Sequence, residues 1–266
     1  PQWIFSEHKS CARPKSPCWS LLAMAVGQSV RGARAVQLLS KNHFKEDPIM
    51  NVSANRALTT ALVVIDVQND FIPGGQLAVP GGDEIVPLIN RLGQSFRHVV
   101  LAQDWHPAGH ASFASSHPGK QPFGTVQLPY GEQTLWPDHC LQGSHGAALH
   151  PALKLDHAKL IIRKGCNPDI DSYSAFMEAD HQTPTGLTGY LKERGIDTVY
   201  LVGLALDFCV MFSALDARLA GFNAFVVLDA CRGIDREGSM AAAIRRMQEA
   251  GVQLIESSAI DGRPFA

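Results

Sequence analysis

The stretch "TVYLVGLALDFCVMFSALDARLAGFNAFVVLDA", residues 198–230, decides the fold. It opens on an apolar run, "TVYLVGLAL" (198–206), in which no polar residue alternates with the apolar ones. A strand reads that way when both of its faces are covered, which happens mainly in parallel sheets. A helical pattern follows in "CVMFSALDARLAGF" (209–222), and a second covered strand in "AFVVLDA" (224–230). Strand, crossover helix and strand make a βαβ unit.

The same alternation runs outward from this unit. Further apolar runs are "ALVVIDV" (61–67), "HVVLAQD" (98–104), "AKLIIRK" (158–164) and "VQLIESS" (252–258). Helical patterns lie between them in "GDEIVPLINRLGQSF" (82–96), "TGLTGYLKERG" (185–195) and "REGSMAAAIRRMQEAG" (236–251); the last two end in a glycine where a helix C-cap belongs. The reading is an α/β domain: a three-layer α/β/α arrangement around a central, mostly parallel, six-stranded sheet. Residues 107–156, rich in Gly, Pro, His and Gln, have little periodicity and read as loop. A loop of that length in a compact domain is usually functional.

With 45% hydrophobic residues, 266 residues bury a full core in one large domain. A formal net charge of -2 gives no basic field for phosphate backbones, so nucleic acid is not an expected partner; a small neutral ligand is. Six cysteines without a CxxC pair do not form a disulfide scaffold and suit a reducing, cytoplasmic location. No apolar run approaches the roughly 20 residues that cross a bilayer, so no membrane partner is expected. Residues 1–49 differ in kind, with scattered basic residues, few acids and no sustained period. They read as an extension outside the core of residues 50–266, poorly ordered apart from a short helix near Leu21 to Val30, with a transit peptide as the alternative.

In an open parallel sheet, ligands bind beyond the carboxyl ends of the strands, near the topological switch point. Asp66, Asp104, Lys164 and Cys209 each fall at or just past the end of an apolar run. Singly, each has a structural explanation as a turn cap, a snorkelling lysine or a packed thiol. Together they form a chemical set. Cys209 at a helix start, with the Lys164 charge nearby, is expected to have a lowered pKa, and Asp66 is placed to carry its proton. A second set lies in "QDWHPAGHASF" (103–113), where Asp104 and His106, two apart on an extended segment, share a face. A third ligand comes from His110 or from His139 in "LWPDHC" (135–140). Two imidazoles, a carboxylate and open positions suit a catalytic Zn²⁺, Fe²⁺ or Mn²⁺. The other histidines read as surface or loop residues, and the other cysteines are assigned nothing.

"VVIDVQNDF" (63–71), "DWHPAGHASF" (104–113), "WPDHC" (136–140), "RKG" (163–165) with "DSYSAF" (171–176), "GLALDFCV" (203–210) and "DACRG" (229–233) resemble the nicotinamidases, or pyrazinamidases, of the isochorismatase-like cysteine hydrolases. The resemblance runs from about Leu62 to the C-terminus. It implies the isochorismatase-like hydrolase fold and hydrolysis of nicotinamide to nicotinate and ammonia in NAD salvage, through a thioester, with pyrazinamide as a second substrate. It implies Asp66, Lys164 and Cys209 as the catalytic residues, and the backbone N–H groups of Ala205 and Cys209 as oxyanion donors. It makes Asp104, His106 and His139 the ligands of one divalent ion, zinc first, with His110 a ligand only in some members. It implies Phe71, Leu77, Trp136 and Tyr173 as pocket walls and a cis peptide between Leu204 and Ala205. A related isochorismatase or N-carbamoyl amidase, and a binding domain that has lost turnover, remain the alternatives. Oligomeric state, a homo-oligomer included, is left open.

Overall fold

The structure is a computed structural model and describes residues 58–260. The expected N-terminal extension, its short helix and the start of the core at residue 50 lie outside the described residues. Six strands form one sheet: β1 (Thr60–Ile65), β2 (Val99–Asp104), β5 (Leu160–Lys164), β6 (Thr198–Leu204), β7 (Asn223–Arg232) and β8 (Gln253–Ile255). Their spatial order is β5-β2-β1-β6-β7-β8, and every pairing is parallel. The "mostly parallel" sheet of the sequence reading is therefore parallel throughout.

Both faces of the central strands are buried, which is why their sequences show no polar alternation. In β1, Ala61, Val63 and Ile65 enter one core cluster while Leu62 and Val64 enter the other. The first cluster is shared with helices α2 (Leu187–Glu193), α3 (Met211–Leu219) and α4 (Ser239–Glu249), through Leu187, Leu191, Ala214, Ala217, Ala243 and Met247. The second is shared with α1 (Val86–Gly93), through Val86, Ile89 and Leu92. Three layers result. Each fully buried Val, Leu or Ile stabilises the fold by about 1.5–3 kcal/mol.

Two readings are corrected. The stretch 107–156 is not loop throughout: β3 (Thr125–Leu128) and β4 (Gly131–Thr134) form an antiparallel hairpin. Its residues are largely half-buried or exposed, so no apolar run marks it. The run 158–164 is not covered on both faces, because β5 is an edge strand and Ile161 is 50% exposed.

The chain leaves β1 toward β2 and β5 on one side, and runs from β6 to β7 and β8 on the other, so the switch point lies between β1 and β6. Gly203, paired with Ile65 across that seam, has φ +117°, and a Cβ there would overlap the Ile65 carbonyl. Only glycine tolerates both the dihedral and the approach. Gly203→Ala is expected to cost about 2 kcal/mol or more, lowering the thermal midpoint by roughly 4–8 °C in a domain of this size; an unchanged melting curve would contradict this account of the seam.

Candidate active site

The switch point gathers the strand-end residues. Asp66 follows β1 directly and takes φ +50°, a left-handed conformation uncommon outside glycine. Asp104 and Lys164 end β2 and β5 and are register partners, so both side chains leave the same face of the sheet. The Lys164 ammonium reaches Asp104 Oδ1 at 2.5 Å and Asp66 Oδ2 at 2.8 Å, and donates to the Ser172 carbonyl at 3.1 Å. It lies 3.5 Å from Cys209 Sγ. The Asp66 and Asp104 carboxylates and the Cys209 sulfur come within 4.8 Å of one another. All four residues are buried.

Cys209 sits in a π-helical turn, Leu206–Val210, that joins β6 to α3. The turn follows a cis peptide between Leu204 and Ala205, as the resemblance implies. Its Asp207 accepts from the Ile234 and Asp235 N–H groups at 3.0 and 2.9 Å and from the Ser239 hydroxyl, fastening the β7–α4 loop beside the sulfur.

The charges behave differently from the sequence reading at one position. Burial pushes the Cys209 thiol well above its ordinary value, and the Asp66 charge adds to this while Lys164 opposes it. The expected lowered pKa is therefore corrected: the helix start and one lysine do not outweigh full burial beside two carboxylates. Burial likewise raises Asp66, to about 7, against the downward pull of Lys164. Burial works against the Lys164 ammonium, yet Asp104 and Asp66 carry its pKa well above the ordinary lysine value. Burial also works to raise Asp104, but Lys164 and His106 hold it well below the usual carboxylate range.

The second set adjoins the first through Asp104. Its Oδ2 lies 3.5 Å from His106 Nε2 and 3.7 Å from His139 Nε2. The long loop brings the two histidines together by backbone pairing: the His106 N–H donates to Cys140 O, and the Gln142 N–H donates to His106 O. Buried Gln68 fixes Asp104 from behind, donating to its carbonyl and accepting from its N–H, both at 2.8 Å. Asp70 Oδ2 accepts from the Cys140 N–H at 2.7 Å and steadies the residue after His139.

The tautomers test whether this set fits a cation. His106 Nδ1 faces the Gly165 carbonyl at 3.0 Å, and His139 Nδ1 the Pro137 carbonyl at 2.8 Å. A carbonyl only accepts, so each Nδ1 carries the proton and each Nε2 lone pair is left facing Asp104. That orientation is the usual outer support of a metal-binding imidazole. Gly165 makes it possible, since a Cβ at its φ of +64° would overlap the His106 ring. The residues fit a divalent ion. His110 stands apart: the Ser112 N–H donates to its Nδ1, which puts its proton on Nε2, and burial lowers its pKa to about 4. Its ring packs on His106 at 4.3 Å, on the side of Asp171.

A cavity beside the sulfur is lined by Phe71, Leu77, Trp136 and Tyr173, the four residues named from the sequence, together with Ala205, Cys209 and the Asp104, His106 and His139 set. Sequence reasoning missed Asp171, Phe208 and Ile234, which also line it. Phe208 adjoins Cys209 in the chain and was legible by that proximity; Asp171 and Ile234 lie in loops with no periodic signal. Tyr173 accepts from Trp136 Nε1 and from Gln133 Nε2, each at 3.0 Å, which ties the hairpin to this wall.

Comparison with known proteins agrees with this geometry. The isochorismatase domain family matches residues 60–259. The nicotinamidase of Acinetobacter baylyi is 59% identical over 209 residues, covering 79% of this chain and 98% of the relative. A solved nicotinamidase/pyrazinamidase structure from Acinetobacter baumanii is 60% identical, with a TM-score of 0.76 over 76% of this chain and 98% of the other. The pyrazinamidase of Pyrococcus horikoshii, solved in complex with zinc, is 32% identical, with a TM-score of 0.63 over 74% of this chain and 100% of the other. The chain belongs to the isochorismatase domain family and, within it, groups with the nicotinamidases.

Proposed function

We propose that this protein hydrolyses nicotinamide to nicotinate and ammonia through a thioester on Cys209, as a step of NAD salvage, with a divalent ion, zinc first, held by Asp104, His106 and His139. The core of residues 50–266 is the hydrolase domain in this reading. The observation that carries it is the convergence on Lys164, whose ammonium touches Asp66, Asp104 and Cys209 at one edge of an aromatic-lined cavity. The nicotinamidase relatives and the zinc-bound neighbour support it. Of the charged residues, only the acids Asp104 and Asp171 line the cavity beside its aromatic walls. A flat neutral ring suits the space between Phe71, Trp136, Tyr173 and Phe208. Pyrazinamide, which differs by one ring nitrogen, suits it equally.

The ion, when bound, supplies a Lewis-acid site for the ring nitrogen. This chain's residues do the rest. Phe71, Leu77, Trp136 and Tyr173, joined by Phe208 and Ile234, hold the ring so that its carboxamide carbon meets the sulfur, which makes the attack effectively unimolecular. As the C–S bond forms, Asp66 takes the thiol proton and the carbonyl electron pair moves onto oxygen. The N–H groups of Ala205 and Cys209 donate to that oxyanion, each contributing about 3 kcal/mol to lowering the barrier. When the C–N bond breaks, Asp66 returns the proton to nitrogen and ammonia leaves. Asp66 next takes a proton from water as the water attacks the thioester; nicotinate departs and the sulfur is reprotonated. A carboxyl raised to about 7 both accepts and releases protons near neutrality. Lys164 stays charged throughout and steadies carboxylate and sulfur.

Cys209→Ala is expected to cut ammonia release from nicotinamide by at least about a thousandfold, while nicotinamide still binds within a few-fold by calorimetry; a variant that keeps a tenth of the rate would defeat the covalent route. Lys164→Met leaves two buried carboxylates without their cation and is expected to cost about 3–5 kcal/mol, read by denaturant unfolding. Exhaustive chelation is expected to remove about one ion per chain and most of the activity, and His139→Ala to weaken the ion's binding by at least about tenfold. Full activity in a protein shown to be metal-free would refute the metal assignment.

A further inference from the structure

The cavity beside Cys209 is narrow. Its free volume is about 20 Å³, room for one or two waters at roughly 10–15 Å³ each and none for a pyridine ring. Some wall must move for a substrate to enter. The sheet end and the two histidines are pinned by the ion pairs and backbone bonds described above, and the Trp136 and Ile234 backbones by bonds to Ser112, Ala114 and Asp207, which leaves the side chains of the loop walls.

Two of those walls meet in one contact. On one side Trp136 lines the cavity, and Phe123, just ahead of the β3–β4 hairpin, packs edge-on against its outer face at 6.0 Å. On the other side Ile234 lines the cavity, and two residues on, the Arg236 guanidinium lies over the Phe123 ring at 4.2 Å. Arg236 is exposed and Phe123 is 37% exposed, so the contact sits at the surface, outside the cavity. Both loop tips hold unusual backbone. Phe123 has φ +69°, and Asp235 and Glu237 have φ +52°. A bulky aromatic residue in the left-handed region needs surroundings that impose it; here the Phe123 N–H donates to the Leu135 carbonyl, and Trp136 and Arg236 hold the ring. The backbone at Ile234 and Asp235 and the Ser239 hydroxyl are anchored on Asp207, so motion on this side is left to the side chains of Ile234 and Arg236.

We propose that the Phe123–Arg236 stack is the latch of the substrate cavity: ring entry and acid departure require it to part, which frees the Trp136 and Ile234 side chains to turn away from each other on backbones that stay fixed. This rests on the hydrolase reading for what enters, but the latch acts on access to Cys209 whatever the substrate. An exposed cation–π contact contributes about 0.5–1 kcal/mol, which corresponds to a roughly two- to fivefold change in the open population. Lids of this kind set turnover when opening, not chemistry, is slow.

The test reads access instead of turnover. Iodoacetamide alkylation of the Cys209 sulfur, displacing iodide, is followed by peptide mass spectrometry in a Cys166→Ser background, which removes an exposed competing thiol. Arg236→Ala is expected to speed Cys209 alkylation two- to fivefold with an unchanged thermal midpoint, and Arg236→Lys less. The double variant Phe123→Ala with Arg236→Ala is expected to be no faster than Phe123→Ala alone, because the two side chains act as one contact. Nicotinamide is expected to protect the thiol in every variant. An alkylation rate that Arg236→Ala leaves unchanged, or effects of the two variants that multiply independently, would overturn the latch. Neither result bears on amide hydrolysis, so the latch and the proposed reaction fail separately.

Discussion

The Lys164 ammonium lies wholly inside the protein, and it is stable there only because two carboxylates and the Ser172 carbonyl surround it. An isolated ammonium taken out of water would lose its proton or unfold its surroundings. The parallel register that makes Asp104 and Lys164 cross-strand partners, and the left-handed turn that brings Asp66 back over β1, are thus requirements of one charge. Chain segments about a hundred residues apart are held in place by it. Removing the cation strands two anions; removing either anion weakens the case for the cation.

Asp104 is the hinge between the two halves of the site. One of its oxygens faces Lys164 and, through it, the sulfur; the other faces the two Nε2 atoms of the histidine pair. In the proposed reaction this fixes how far the ring-binding end lies from the nucleophile, without a flexible side chain between them. The cost falls on the thiol, whose pKa burial and the neighbouring carboxylates push up. In the proposed reaction the thiol hands its proton to Asp66 as the bond forms.

The sequence carried the sheet and the residues at its rim, because covered parallel strands are written as unbroken apolar runs and the four strand-end residues follow those runs directly. That His139 and not His110 approaches the Asp104 carboxylate was beyond spacing alone; it depends on the pairing of the His106 and Cys140 segments. The hairpin at 125–134 left no apolar run, since its strands are four residues each and largely half-buried or exposed. Gln68 and Asp70 were legible only as letters of a motif. Their work, holding the backbone of Asp104 and Cys140, appears once the loop is folded. The direction of the Cys209 shift was misread because helix position and a cation are visible in sequence, whereas the depth of burial is not.

The most direct test of the central claim, that Lys164, Asp66 and the metal set converge on a nucleophilic sulfur, is a crystal structure of the metal-loaded protein soaked with nicotinaldehyde. The account expects a bond between Cys209 Sγ and the aldehyde carbon, with the pyridine ring against Trp136 and its nitrogen toward Asp104, His106 and His139. An aldehyde bonded instead to the Lys164 amine, or bound with its carbonyl turned away from the sulfur, would contradict it.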